Sequence, residues 1–379
     1  MLKIGITGQA GFVGTHLYNT LGLYPEKFVR IPFEDDFFYD NFRLETFVSQ
    51  CDTIVHLAAM NRHNDPQFIY ETNIGLVKKL IDACESTGAV PHILFSSSTQ
   101  EERDNLYGKS KKKGRQLLEQ WAERNKGKFT GFVIPNVFGP FGNPYYNSVI
   151  ATFCYQLTHN EQPKIEFDGE IKLIYVSELV NEIMNRIETG QNEHSEIAQI
   201  YLVPVQHTSQ IKVSDLLEKL TDFKQNYFEK GVIPNLDDSF ERNLFNTFLC
   251  YIDHVTFFPF QLKLNADERG SFVETVKLNS GGQVSFSTTF PGITRGNHFH
   301  TRKAERFAVI KGKALIKIRR IGTEKVVSFE LDGRQPSFVD MPVWFTHNIT
   351  NIGEDELYTI FWINEHYNSA DSDTFFEKV

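Results

Sequence analysis

Glycines at positions 8, 11 and 14 lie between an apolar run, residues 2–7, and an amphipathic stretch, residues 12–21. A strand that enters a glycine-rich turn and leaves as a helix is the first half of a βαβ unit, in which parallel strands are joined by a helical crossover. The pattern recurs. Apolar runs at 28–31, 53–57, 92–96 and 131–134 alternate with helical periodicity at 69–86 and 107–124. Right-handed crossovers of this length build a doubly wound parallel sheet, so the first part is expected to be an α/β Rossmann-type fold. Further helical patterning follows at 213–222 and 238–249. Beyond residue 251 the texture changes: short strand-like runs at 257–264, 283–290, 304–309, 314–319 and 357–363 are broken by Gly, Pro, Asn and Asp. That reads as an all-β sandwich or small barrel. The expected division is 1–250 and 251–379.

Composition excludes several classes. A chain of 379 residues exceeds one ordinary core. With 41% hydrophobic and 23% charged residues it has the balance of a folded protein. A formal charge of −9 argues against a nucleic-acid partner. Cys51, Cys84, Cys154 and Cys250 form no CxxC, which argues against a disulfide scaffold or a cysteine zinc site. No apolar run is long enough to span a bilayer, and the chain opens directly on a strand, so the expected location is cytoplasmic, without membrane association.

The glycine turn carries a specific chemistry. Gly8 permits a tight turn, Gly11 lets an anionic diphosphate approach the backbone, and Gly14 lets the helix pack closely on the strand. The free N–H groups and dipole of the helix then stabilise the anion, making Gly8, Gly11, Phe12, Val13 and Gly14 the candidate dinucleotide-binding turn. Downstream, Ser96-Ser97-Ser98 closes a strand and Tyr107-Gly108-Lys109-Ser110-Lys111 opens a helix. On a helix i and i+4 share a face, so Lys111 can approach Tyr107 and, with an oxidised nicotinamide, favour its phenolate. Tyr107 is the candidate proton donor to a ketone as hydride arrives, and Ser98 the group that holds the ketone oxygen. Arg30, at the end of the second strand, suits the 2′-phosphate of NADPH, although Glu34, Asp35 and Asp36 follow it closely.

These residues resemble the extended short-chain dehydrogenase/reductases that act on nucleotide sugars. His56-Leu57-Ala58-Ala59, Asn73, Pro135-Asn136-Val137-Phe138-Gly139-Pro140 and Tyr175-Val176-Ser177-Glu178-Leu179-Val180 are similar to further segments of that family. The resemblance implies that Leu57, Ala58, Ala59, Lys111 and Pro135 line the cofactor and that Asn136 meets the sugar nucleotide. Residues 292–312 and 342–351 resemble the two motifs of the cupin barrel, with Trp344 where the second usually has glycine. In that register His298, His300, Glu305 and His347 form a candidate site for Zn, Fe, Mn or Ni, with zinc as the expected ion. Residues 267–274 resemble the opening motif of cupin-type nucleotide-sugar epimerases, which implies that Arg269 or Arg295 contacts a diphosphate and that Glu274 lies near the sugar. Lys303, Glu274 or an unassigned Tyr is the candidate base.

Together the halves resemble the bifunctional capsular-polysaccharide enzymes of the UDP-N-acetyl-L-fucosamine pathway. The implied activity is C3 epimerisation of a UDP-2-acetamido-2,6-dideoxy-4-hexulose by the cupin domain, then NADPH reduction of C4 to UDP-2-acetamido-2,6-dideoxy-L-talose. The implied assembly is a homodimer. The alternatives are a dTDP-sugar reductase fused to a ketoisomerase or 3,5-epimerase, and a non-catalytic NADP-sensing protein.

Overall fold

The computed structural model describes residues 1–190, 197–268 and 270–379. Its first compact unit comprises residues 1–138, 145–148 and 170–211. The order of its leading elements is β1 (Leu2–Thr7), α1 (Phe12–Leu21), β2 (Phe28–Ile31), α2 (Asn41–Gln50), β3 (Thr53–His56), α3 (Pro66–Thr87), β4 (His92–Ser98), α4 (Leu106–Asn125) and β5 (Lys128–Ile134). The six-stranded sheet runs β2-β1-β3-β4-β5 and then strand Gln199–Pro204, and every pairing is parallel. Strand order therefore reverses at β1, which places the glycine turn at the topological switch point where α/β sheets bind ligands.

Both faces of the sheet are covered. One core layer packs Phe47, Leu80, Leu118 and Trp121 from α2, α3 and α4 against Ile54, Ile93 and Phe129. The other packs Leu17 and Leu21 of α1 and Leu179, Ile183 and Ile187 of helix Val176–Gly190 against Ile4, Val55 and Leu94. Caps set the helix limits. The Asp65 side chain accepts from the Gln67 N–H with Pro66 at the first helical position, and Gly88 ends α3 at φ 69°. Asn105 caps α4 by accepting from the Gly108 N–H at 2.7 Å.

The second compact unit comprises residues 139–144, 149–169 and 212–379. Two five-stranded antiparallel sheets form its β part. One is built around Glu305–Lys311 and Leu357–Ile363, the other around Lys313–Arg320 and Phe345–Asn351, and Ala308, Ile316, Ile318, Val339 and Ile349 fill the core. The fold class is therefore a Rossmann-type α/β sheet plus a C-terminal antiparallel β domain. The second unit begins before the expected boundary at 250. Helical residues 213–249 belong to it, and a buried polar link shows why: the Tyr227 hydroxyl donates to Asp340 at 2.6 Å, and Asp340 takes both arms of the Arg306 guanidinium at 2.7 and 2.8 Å. Expected strand 257–264 is replaced by the helical turn His254–Phe257, with Pro259 interrupting the pairing before the short strand Phe260–Gln261.

Candidate functional site

At the end of β1 the backbone makes a cradle that only glycine fits. Gly8 sits at φ +70°, and a Cβ there would lie 2.8 Å from the Ala58 backbone. At Gly14 a Cβ would meet the Gly8 carbonyl oxygen at 2.2 Å. Helix α1 begins immediately after Gly11 with no side-chain cap, so its first N–H groups remain available to an anion. Beside the turn, the Leu57 N–H donates to the Thr7 carbonyl at 3.1 Å and the Ala58 N–H to the Thr7 hydroxyl at 3.4 Å. Leu57 and Ala58 thus flank the glycine turn. The Thr7 hydroxyl also bonds buried His56 at 2.7 Å, whose pKa is pushed down to about 3 by burial and by the charge of Lys111.

Arg30 is elsewhere. Its guanidinium donates to the Tyr18 carbonyl at 3.1 Å and lies 4.2 Å from the Tyr18 ring centroid, beside Gly22. That is the C-terminal end of α1, opposite the end that starts at Gly11, so Arg30 does not stand where a 2′-phosphate partner is needed. The cation past the end of β2 is Arg43, in the first turn of α2, which holds Glu34 at 2.9 Å and Asp36 at 2.7 Å and lies over the Phe37 ring. It sits thirteen residues beyond Arg30 and after an intervening helical turn, so the simple strand-end rule misses it.

Ser98 ends β4, and its hydroxyl accepts from the Gln100 N–H at 3.2 Å. A Cβ on Gly108 would lie 1.9 Å from the Gln100 carbonyl oxygen, so glycine next to Tyr107 lets the first turn of α4 rest directly on the turn Thr99–Glu102. Beneath it, buried Glu101 accepts from the Ser97 hydroxyl and from Arg115, with Nη2 at 2.9 Å. Lys111 is buried, donates to the Ser96 carbonyl at 2.9 Å and places its ammonium 5.9 Å from the Tyr107 ring centroid. Burial pulls its pKa down to about 8. The Tyr107 phenol moves opposite to the expected shift, up to about 12, raised by burial first and by the neighbouring Tyr146 second. With its pKa at that level the phenol is protonated at neutral pH.

Asn73 ties these parts together. Its amide accepts from the Met60 N–H at 2.7 Å and donates to the Met60 carbonyl at 3.1 Å and the Ser110 hydroxyl at 3.0 Å. Ser110 in turn donates to the Tyr107 carbonyl at 2.7 Å. Pro135 is buried just after β5, and exposed Asn136 donates to the Lys172 carbonyl at 3.3 Å. A contact that no sequence signal announces joins the Asn61 N–H to the Tyr146 hydroxyl at 3.2 Å, across 85 positions.

In the second unit, the coordinating atoms of His298, His300, Glu305 and His347 all lie within 4.8 Å of one another. The Glu305 carboxylate oxygen is 3.0 Å from His347 Nε2, 3.3 Å from His300 Nε2 and 3.9 Å from His298 Nε2. The second layer fixes the rings. His300 Nδ1 bonds the Asp373 carbonyl and His347 Nδ1 the Phe345 carbonyl, so each Nδ1 carries the proton and each Nε2 turns its lone pair inward. His300 Nε2, His347 Nε2 and Glu305 Oε2 are buried with no hydrogen-bond partner, the condition a cation would relieve. Burial pushes the Glu305 carboxyl up, but the three imidazoles more than offset it and hold it well below the ordinary range. The donor set fits a divalent metal.

Trp344, in place of the motif's glycine, still adopts the left-handed backbone, at φ 64°. Its N–H donates to the His300 carbonyl at 2.7 Å and its ring stacks on Phe299 at 5.7 Å, contacts that offset the strain. Asp373 was invisible in the motifs. Its carboxylate accepts from the Thr301, Arg302 and Lys303 N–H groups at 3.0–3.1 Å, which fixes the turn after His300.

The remaining expected residues do not converge equally. Lys303 is 2% exposed and its ammonium donates to the Ser372 carbonyl at 2.7 Å, so it is spent on structure rather than free as a base. Exposed Glu274 pairs with Lys277 at 2.7 Å. Arg295 donates to the Thr289 hydroxyl and the Thr288 carbonyl, each at 3.1 Å. Arg269 lies outside the described residues.

The parallel sheet with its glycine cradle, and Tyr107 beside buried Lys111 at the head of α4, have the form of a nicotinamide-dependent enzyme. Residues 4–200 match the NAD dependent epimerase/dehydratase family, to which the chain belongs, and residues 265–375 match the polysaccharide biosynthesis C-terminal domain. Over 375 residues it is 32% identical to the UDP-2-acetamido-2,6-beta-L-arabino-hexul-4-ose reductase of Pseudomonas aeruginosa, covering 99% of this chain and 98% of that one. The crystal structure of the capsular polysaccharide assembling protein CapF from Staphylococcus aureus superposes with a TM-score of 0.62 at 34% identity, covering all of both chains. RMD from Pseudomonas aeruginosa, solved with NADPH, shares the fold at 21% identity and a TM-score of 0.50, over 59% of this chain and 83% of that one. Among the described residues no helix is long and apolar enough to cross a membrane.

Proposed function

We propose that the chain performs two steps on a UDP-linked 2-acetamido-2,6-dideoxy-4-hexulose in capsular polysaccharide synthesis, C3 epimerisation and then C4 reduction to the L-talose product. The observation that carries the reading is that one chain, similar along its whole length to a UDP-4-ketohexose reductase, holds both the Tyr107–Lys111 pair and a convergent His3Glu cluster. In the reductase site Ser98 holds the C4 oxygen and Tyr107 gives it a proton. Lys111 stabilises the phenolate left behind, and Gly8, Gly11 and Gly14 cradle the diphosphate. A nicotinamide cofactor, proposed as NADPH, would supply the hydride when bound.

In the β domain, read as a cupin, a divalent ion such as zinc would supply Lewis acidity toward a ketone oxygen, held by His298, His300, Glu305 and His347. The Asp373 and Phe345 carbonyls keep the His300 and His347 imidazoles aimed inward. The C3 proton is acidic only while C4 is a ketone, so reduction by the other domain fixes the inverted centre. That chemistry is the reason to couple the two activities, and the reading places the enzyme in the cytoplasm as a homodimer.

The test uses the full chain. With a UDP-4-keto sugar in deuterium oxide and no nicotinamide, deuterium should enter at C3, and absence of exchange would end the epimerase assignment. Tyr107→Phe should abolish NADPH oxidation and leave that exchange intact. For cofactor choice, Arg43→Ala should erode the preference for NADPH over NADH about tenfold or more, since a charged hydrogen bond to the 2′-phosphate is lost, while Arg30→Ala leaves it unchanged. Equal preferences in wild type and Arg43→Ala would remove Arg43 from this role.

A further inference from the structure

The segment Tyr145–Ser148 returns to the first unit although the residues on either side of it belong to the second. Something must hold it there. Exposed Arg62 donates through Nη1 to the Tyr145 carbonyl at 2.6 Å and to the Tyr146 carbonyl at 3.1 Å. Tyr145 itself sits at φ 60°, a conformation a bulky residue adopts only when its surroundings impose it. The clasp brings the Tyr146 hydroxyl to the Asn61 N–H at 3.2 Å. Asn61 follows Met60, which Asn73 grips at both its N–H and its carbonyl, and Asn73 reaches Tyr107 through Ser110.

A backbone N–H can only donate, so the Tyr146 oxygen is an acceptor in its bond to Asn61 and its own O–H proton is left to give. Among the described residues this hydroxyl has no other hydrogen bond. It lies close enough to Tyr107 to contribute, after burial, to the rise in that phenol's pKa. Neither Tyr146 nor Tyr107 is exposed, yet neither is fully enclosed, which suits groups that meet a ligand.

Resting on the ketoreductase reading, we infer that Tyr146 is a second substrate-binding phenol of the reductase site, donating a hydrogen bond to an oxygen of the 4-keto sugar beside the reacting carbonyl, with Arg62 as the residue that positions it. Arg62 acts through the backbone of Tyr145 and Tyr146 and need not touch substrate. The pair is encoded far apart in the chain.

The experiment measures NADPH oxidation by the full chain with a UDP-linked 4-keto amino-deoxy hexose as substrate, together with NADPH affinity by fluorescence. Tyr146→Phe, which removes one oxygen, should lower kcat/KM about tenfold and leave NADPH affinity unchanged. Arg62→Ala should lower it in the same direction, Arg62→Lys should recover part of the loss, and the double variant should be no worse than Tyr146→Phe alone, because Arg62 works through Tyr146. A Tyr146→Phe value within about twofold of wild type, with Tyr107→Phe inactive, overturns this inference and leaves the ketoreductase reading standing. Strict additivity in the double variant overturns the part assigned to Arg62. Turnover retained by Tyr107→Phe sinks the ketoreductase reading itself.

Discussion

The two sites are built by opposite strategies. In the β domain the four candidate ligands already converge, the His300 and His347 rings held by the carbonyls of Asp373 and Phe345, with three donor atoms buried and unpartnered. The reductase site is held less tightly: Lys111 is tied to the Ser96 carbonyl and the Tyr107 phenol is pushed up to about 12 rather than down. A metal site must cancel repulsion among ligands with an ion, so it is worth preforming. On the proposed mechanism Tyr107 should stay protonated until the ketone and coenzyme arrive, so its tuning would be left to the ligand. One site waits for a cation, the other for a reaction partner.

The largest effect that could break this contrast is at Glu305. Glu305→Gln removes the only carboxylate among the four ligands, and full-chain protein should lose at least about tenfold in metal affinity by plasma mass spectrometry after dialysis, with C3 exchange lost in parallel. NADPH oxidation of a substrate already inverted at C3 should persist. If that oxidation disappears too, the two sites are not the independent constructions described above.

A smaller effect tests whether preformation resides in the second layer. Asp373 accepts three backbone N–H groups of the turn after His300, and its own carbonyl orients that ring. Asp373→Ala should weaken metal binding about 10- to 100-fold while the thermal midpoint of the reductase unit stays put. Unchanged metal affinity would mean that strand geometry alone preorganises the cluster.

The same contrast explains what could be read from the sequence. The glycine cradle, the Tyr107–Lys111 spacing and the histidine cluster were legible because each is dictated by local periodicity or by a motif of fixed spacing. Five of the six strands of the parallel sheet were legible as well, since apolar runs report burial on both faces, whereas half-exposed Gln199–Pro204 was not. Strands Val326–Asp332 and Ser337–Met341 escaped, as did helices α2 and Val149–Thr158. α2 mixes polar and apolar residues with little bias, and Val149–Thr158 is apolar nearly all round, so neither shows a clear helical stripe. Arg30 was misplaced because a charge at a strand end can turn to either end of the neighbouring helix, and here the Tyr18 ring and carbonyl capture it. Lys303 was misjudged because its burial depends on Ser372, 69 positions away. Tyr146, Asp373 and the Tyr227–Asp340–Arg306 link are likewise contacts across sequence, which no local pattern encodes.

The smallest expected effect concerns stability and lies under the reductase site. His56 is buried, bonded to Thr7 and stacked near Phe95, and its pKa is pushed down to about 3 by burial first and Lys111 second. The folded state therefore keeps the imidazole neutral, while the unfolded chain takes up a proton below about 6.5. With the folded value depressed, the stability linked to this group is intact above that pH and drains as pH falls toward 3, at up to about 1.4 kcal/mol per pH unit. Urea unfolding followed from pH 7.5 to 5 should show wild type losing stability faster than His56→Gln, whose side chain does not titrate. The variant should start lower at pH 7.5 because the Thr7 contact is disturbed, so the evidence is the difference in slope. Parallel slopes would place the acid sensitivity of this unit elsewhere and show that the floor beneath the phenol site is wetter than its burial indicates.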